Sequence, residues 1–228
     1  VGNSAMIIIG IVGTPAGGKS TVASKLQEFG AAWIDADKIA KAVLERPEIE
    51  QQVLTYFGTS IAHAAGGIDR SALAHAVFGD DEGKRQALRY LESVLHPPTR
   101  KEITSQLIRA SRDGFLVAVL DVPLLLESNW DVCCDEIWSV DAPLADRLKR
   151  SEQRGWDANE LARRESNQLA ISEKNRLSTY QIMNDSTLIE LSEKVIEHWN
   201  RFSSQEIDSR PSFSFHHCLT DLSEPQPC

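Results

Sequence analysis

Residues Gly13-Thr14-Pro15-Ala16-Gly17-Gly18-Lys19-Ser20 spell G-x-x-x-x-G-K-S, and this run constrains the fold more tightly than any other feature of the chain. Such a loop turns successive backbone N–H groups inward around a phosphate chain, so its residues must be small. Gly13 and Gly18 bracket the turn. The lysine places a fixed positive charge on the β/γ-phosphates, and the serine hydroxyl suits Mg²⁺. The flanks have the required character. Met6 to Val12 is an apolar run of strand length, suited to a buried parallel strand. Thr21 to Phe29 has apolar residues at helical spacing, and Gly30 ends the helix. Strand, glycine loop and helix follow in the order a phosphate-binding loop demands.

The rest of the chain alternates in the same way. Ala32 to Asp35 reads as a second strand, and Ala36 to Arg46 as a helix with Ile39, Ala40, Val43 and Leu44 on one face. Helical patterns continue from Pro47 to about Tyr56, from Ser71 to Phe78, from Asp80 to Leu95 and from Thr99 to Ser111, with His96-Pro97-Pro98 predicting a break. A block of about 40–111 that is nearly all helix predicts an inserted helical subdomain. Phe115 to Asp121 is an apolar strand ending in a carboxylate, the pattern of a Walker B strand. Ile137 to Val140 and Tyr180 to Met183 supply a fourth and a fifth strand, and Thr187 to Phe202 a closing helix. The expected fold is α/β, a P-loop NTPase-type five-stranded parallel sheet with helices on both faces. Residues 1–202 form the expected domain, with a small helical lid at about 147–170. From about Ser203 the chain is rich in Ser and Pro without periodicity and reads as a disordered tail.

Composition sets limits on partners. The chain has 228 residues, 42% hydrophobic and 25% charged, with a net charge of −9. That charge argues against broad nucleic-acid binding. No apolar run approaches the roughly 20 residues of a membrane span, and no secretory signal pattern opens the chain. A cytoplasmic protein, monomeric or a small homo-oligomer, is expected. Val1 precedes Met6, so Met6 is a second possible start. Cys133, Cys134, Cys218 and Cys228 fit neither a zinc site nor a redox pair, and His216-His217-Cys218 reads as an incidental polar cluster.

Two further groups carry chemistry. Asp35 and Asp37 lie at the carboxyl end of the second strand, the edge where open α/β sheets bind ligands. Phosphoryl transfer to an alcohol needs a carboxylate beside the attacking hydroxyl. Asp37 suits that role, or the cap of the following helix; the adjoining phosphate loop favours catalysis. Arg147, Lys149, Arg150, Arg154, Arg163 and Arg164 form a basic cluster in an acidic chain. They serve either to pair with Glu152, Glu160 and Glu165 at helical spacing or to neutralise transferring phosphate.

With Leu91-Glu92, His96-Pro97 and Val122-Pro123-Leu124-Leu125-Leu126-Glu127 added to these motifs, the chain resembles the dephospho-coenzyme A kinase family from about residue 6 to 200. The resemblance implies transfer of the ATP γ-phosphate to the ribose 3′-hydroxyl of dephospho-CoA, a small-molecule substrate, with ATP and Mg²⁺ as cofactors. It implies that Gly13, Ala16, Gly17, Gly18, Lys19, Ser20 and Thr21 hold ATP and that Asp37 is the catalytic acid–base group. It also implies that His96, Pro123, Leu124 and Glu127 line the acceptor site and that Arg150 and Arg154 are lid arginines, with Arg164 and Gln168 following. Lys19 and Arg154 would act on the transferring phosphoryl, and Ser20 and Asp121 on the metal. Another P-loop small-molecule kinase, with a nucleoside or nucleotide acceptor, is the alternative. Two departures stand out. Thr14-Pro15-Ala16 replaces the usual glycines and small apolar residue, and Pro15 lacks an N–H that the loop either uses or does not. Ser178-Thr179 stands where Ala-Asp is common, while Asn184 is kept.

Overall fold

The computed structural model describes residues 6–64, 66–79 and 81–203. Of the expected tail at 203–228, Ser203 closes the last helix, and the remainder, with its His-His-Cys cluster, lies outside the described residues, as does the start region 1–5. The chain divides into two units, one of residues 1–35 and 107–228 and the other of residues 36–106.

In the first unit β1 (Ile7–Gly13) is buried along its whole length, as a strand covered on both faces must be. It pairs in parallel with β3 (Val117–Asp121) on one side and β4 (Glu136–Asp141) on the other. β2 (Ala32–Asp35) lies outside β3, and β5 (Tyr180–Met183) outside β4. The sheet order is β2-β3-β1-β4-β5, every pair parallel. The two strands read first from the sequence are therefore not neighbours. β3 separates them, and at about 4.8 Å per strand the tip of β2 stands roughly 10 Å from that of β1. Asp121 fills the interval, in register with Asp35.

α1 (Lys19–Glu28) and α9 (Leu188–Ser203) share a core with one face of this sheet. Val22, Leu26, Leu191 and Val195 bury against Ile9, Ile11, Val119 and Trp138. Trp138 is fully buried, and its indole N–H donates to Glu136 Oε2 at 2.9 Å, which removes the penalty of an unpaired polar group in the core. After β4 come α6 (Leu144–Glu152), α7 (Ala158–Ser166) and α8 (Ile171–Leu177). No described helix is long and apolar enough to cross a membrane.

The second unit holds α2 (Ala36–Leu44), α3 (Pro47–Phe57), α4 (Arg70–Val77) and most of α5 (Glu82–Arg112). Pro47 opens α3 at a position where no N–H is needed. The Asp69 carboxylate caps α4 by accepting from Ser71 N and Ala72 N. The expected break at His96-Pro97-Pro98 does not occur, for α5 runs through both prolines as a single helix of 31 residues. Proline's fixed φ is compatible with a helix; its cost is a missing hydrogen bond and a clash with the preceding turn. Burial on both sides of the pair, at Leu91, Ile103 and Leu107, opposes that cost. Arg46 pairs with Glu102 at 3.1 Å, and Tyr56 stacks on Tyr90 with ring centroids 3.7 Å apart.

Candidate active site

The phosphate loop joins β1 to α1, and its shape is held by bonds that the sequence motif does not contain. Thr14 N donates to Val140 O at 3.3 Å, and Thr14 Oγ1 donates to Asp141 Oδ1 at 2.7 Å. Asn184, just past β5, donates through Nδ2 to Gly17 O at 2.9 Å. Arg150 of α6 donates to Gly17 O and to Asn184 O, each at 3.2 Å. The tips of β4 and β5 and the last turn of α6 thus brace the loop from outside.

The glycines answer to the same walls. A Cβ at Gly13 would stand 1.9 Å from Val140 O, and one at Gly18 2.1 Å from Asn184 Nδ2. Gly17 N donates to Thr14 O at 3.1 Å, closing a turn over Pro15 and Ala16. Ala16 has φ of 58°. Proline at the second position and positive φ at the third is the pattern of a type II turn. The turn's closing bond does not use the N–H that Pro15 lacks, so this departure from the usual loop suits the local geometry.

Lys19 lies at the start of α1 and donates to Gly13 O at 3.2 Å and Thr14 O at 2.9 Å. Ser20 is exposed and Thr21 half-buried at the same helix end. Asp35 and Asp121, both half-buried, are register partners at the carboxyl ends of β2 and β3. Asp37 is exposed in the first turn of α2, and the residue preceding that helix is Asp35; Asp37 is thus inside the helix rather than at its cap position. His96 and Pro97 are exposed in the body of α5.

The basic cluster separates into different roles. Arg147 is buried, donating to Ala142 O at 3.1 Å and pairing with Glu165 at 3.1 Å. Arg163 and Arg164 both pair with Glu160 at 2.7 Å, and the two guanidiniums hold its carboxyl below its ordinary range, Arg163 most strongly. Arg154 is exposed, and its guanidinium lies 5.7 Å from the Trp156 ring centroid.

Between β3 and β4, Pro123 and Leu124 are exposed, Leu124 at 41% and with φ of 55°. A large apolar residue held exposed in the left-handed region is unusual, and such residues gather at ligand sites. Glu127 accepts from Leu169 N at 2.7 Å. Thr179 buttresses β4: its hydroxyl donates to Ile137 O at 3.0 Å and accepts from Ile137 N at 3.2 Å. Sequence reasoning passed over Lys174 of α8, which is 4% exposed and donates to Gly13 O at 3.2 Å and Gln168 Oε1 at 2.6 Å. One lysine among the charged residues of a short helix carries no local signal.

A five-stranded parallel sheet with a braced glycine loop after its central strand, and three short helices between the fourth and fifth strands, defines a P-loop kinase fold. The family model described as dephospho-CoA kinase matches residues 7–190. The chain belongs to the dephospho-CoA kinase family. Its relatives include the dephospho-CoA kinases of Rhodopirellula baltica, 41% identical with 81% of this chain and 85% of that one covered, and of Carboxydothermus hydrogenoformans, 38% identical with 83% and 91% covered. Among solved structures, TT1252 from Thermus thermophilus superposes with a TM-score of 0.73 at 30% identity, covering 88% of this chain and 99% of that one.

Proposed function

We propose that the chain transfers the γ-phosphoryl group of ATP to the ribose 3′-hydroxyl of dephospho-CoA, the last step of coenzyme A synthesis. The observation that carries this reading is the braced loop, Gly13 to Thr21, within a family match of residues 7–190. Family membership disfavours the nucleoside-kinase alternative. Gly13, Ala16, Gly17 and Gly18 shape the cradle, and Lys19 leaves its carbonyls to meet the phosphates. Asp37 orients the acceptor hydroxyl and takes its proton as the new O–P bond forms. Arg154 and Arg150 supply positive charge from the lid side, with Arg150 also keeping the loop in shape. His96, Pro123, Leu124 and Glu127 are assigned to the acceptor.

Mg²⁺ fits the donors available. Ser20 and Asp121 offer hard oxygens near the loop, and no group of three or more His, Cys, Asp or Glu suited to a metal occurs among the described residues. Mg²⁺ characteristically takes one or two protein oxygens and completes its shell with phosphates and water. When bound, it would neutralise charge on the β- and γ-phosphates. The reading includes a cytoplasmic enzyme, monomeric or a small homo-oligomer, whose net charge of −9 is unsuited to nucleic acid.

The test is incubation with ATP, Mg²⁺ and dephospho-CoA, followed by identification of the phosphorylated position. Product phosphorylated at the 3′-hydroxyl is expected; ADP release that follows nucleosides instead would overturn the assignment. Asp37→Asn should keep ATP binding and lose transfer by about 10²-fold or more, and Lys19→Ala should weaken both. Full transfer by the Asp37→Asn protein removes Asp37 as the base.

A further inference from the structure

Two ammonium groups converge on one carbonyl. Gly13 O accepts from Lys19 Nζ at 3.2 Å and from Lys174 Nζ at 3.2 Å. Gly13 itself is buried, and the Thr14 N–H of the same peptide group donates to Val140 O at 3.3 Å; that bond fixes the peptide plane and with it the direction of the Gly13 carbonyl. Lys174 is also fixed. It is 4% exposed, bonded to Gln168 Oε1 at 2.6 Å, with Glu127 Oε1 at 4.0 Å. Lys19 is only half-buried, at the open end of α1. The two donors are thus unlike, one built in and one able to leave.

We propose that Lys174 is a positioning residue for nucleotide binding: it keeps the Gly13 carbonyl hydrogen-bonded when Lys19 moves to the phosphates. The inference rests on the reading of Lys19 as the phosphate-binding lysine. The physical reason is an accounting of one acceptor. A buried carbonyl left without a donor carries a desolvation penalty, and without Lys174 the departure of Lys19 would incur it. Lys19 would then be held back on the loop, and the nucleotide would bind against that loss. Lys174 also ties the loop to Gln168 and the 123–127 segment through Glu127, so α8 senses the same carbonyl.

The experiment measures equilibrium binding of a non-hydrolysable ATP analogue with Mg²⁺ to the full chain. Lys174→Met is made in the native and in the Lys19→Ala background, with Lys174→Arg as the conservative variant. The expected result is about 10-fold weaker binding from Lys174→Met in the native background, less than about 2-fold in the Lys19→Ala background, and recovery of most of the loss by Lys174→Arg. Equal losses in both backgrounds mean that Lys174 only supports the fold and overturn the proposal, as does unchanged binding. If Lys174→Met fails to fold, Gln168→Leu, which removes the 2.6 Å anchor, is read in the same two backgrounds by the same criteria. Because no acceptor is present, failure of dephospho-CoA as a substrate leaves this result intact. A native chain that binds no nucleotide overturns both readings.

Discussion

At the residue scale the glycines on either side of α1 are set by two different demands. Gly13 and Gly18 face atoms at 1.9 and 2.1 Å from an added Cβ, whereas Gly30 has open space around it and only its φ of 106° to satisfy. Gly13→Ala and Gly18→Ala should therefore abolish nucleotide binding by forcing the loop away from β4 and Asn184. Gly30→Ala should cost only about 1 kcal/mol of stability and leave binding intact. Titration with the ATP analogue and urea denaturation separate the two outcomes. Pro15 makes the opposite case. It restricts the unfolded chain at a position already suited to it, so Pro15→Ala should lower stability by about 0.4–1 kcal/mol while nucleotide affinity stays within about 2-fold.

At the scale of elements, the proline pair in α5 tests how far burial overrides local preference. Pro98 removes a helical hydrogen bond without any assigned role, and Pro98→Ala should stabilise the protein by about 1–3 kcal/mol in urea titration. α9 carries a pH-dependent element. His198 stacks on Tyr180, lies edge-on to Trp138 at 5.9 Å, and has a buried Nδ1 without a hydrogen-bond partner. Burial, chiefly, and the nearby Arg201 push its pKa down. A depressed imidazole pKa means that the unfolded chain binds the proton more readily. The contribution of His198 is thus complete above about pH 6.5 and is lost as pH falls from there through the folded-state value. In His198→Phe, Tm measured across pH 4–8 should fall less steeply below about 6.5 than in the native chain.

The elements also show what the sequence made legible. Each strand announced itself locally, as in the apolar run before Gly13 or the carboxylate that ends Val117–Asp121. The motif gave Lys19 and Ser20 in the same way. What stayed hidden joins residues far apart in the chain. The Thr14–Asp141 and Asn184–Gly17 bonds span 127 and 167 positions, and no pattern along the chain records such pairs. Strand order belongs to the same class, which is why the neighbour of Asp35 is Asp121. The helix through Pro97 was hidden for a different reason: local preference points one way there and burial the other.

For the whole molecule, the glycine loop is completed late in the chain. The motif lies within the first 20 residues, but its braces come from Val140, Asp141, Arg150, Lys174 and Asn184. A fragment of residues 1–112 contains the whole G-x-x-x-x-G-K-S run and Asp37, yet lacks both partners of β1. It should show no measurable nucleotide binding by calorimetry, and binding by that fragment would mean that the loop is self-sufficient. Because the wall behind Gly13 is a main-chain oxygen, swapping the side chain at position 140 leaves the obstacle in place. Evolution can repaint that strand as often as the surrounding core allows, while the residue facing it has no second spelling.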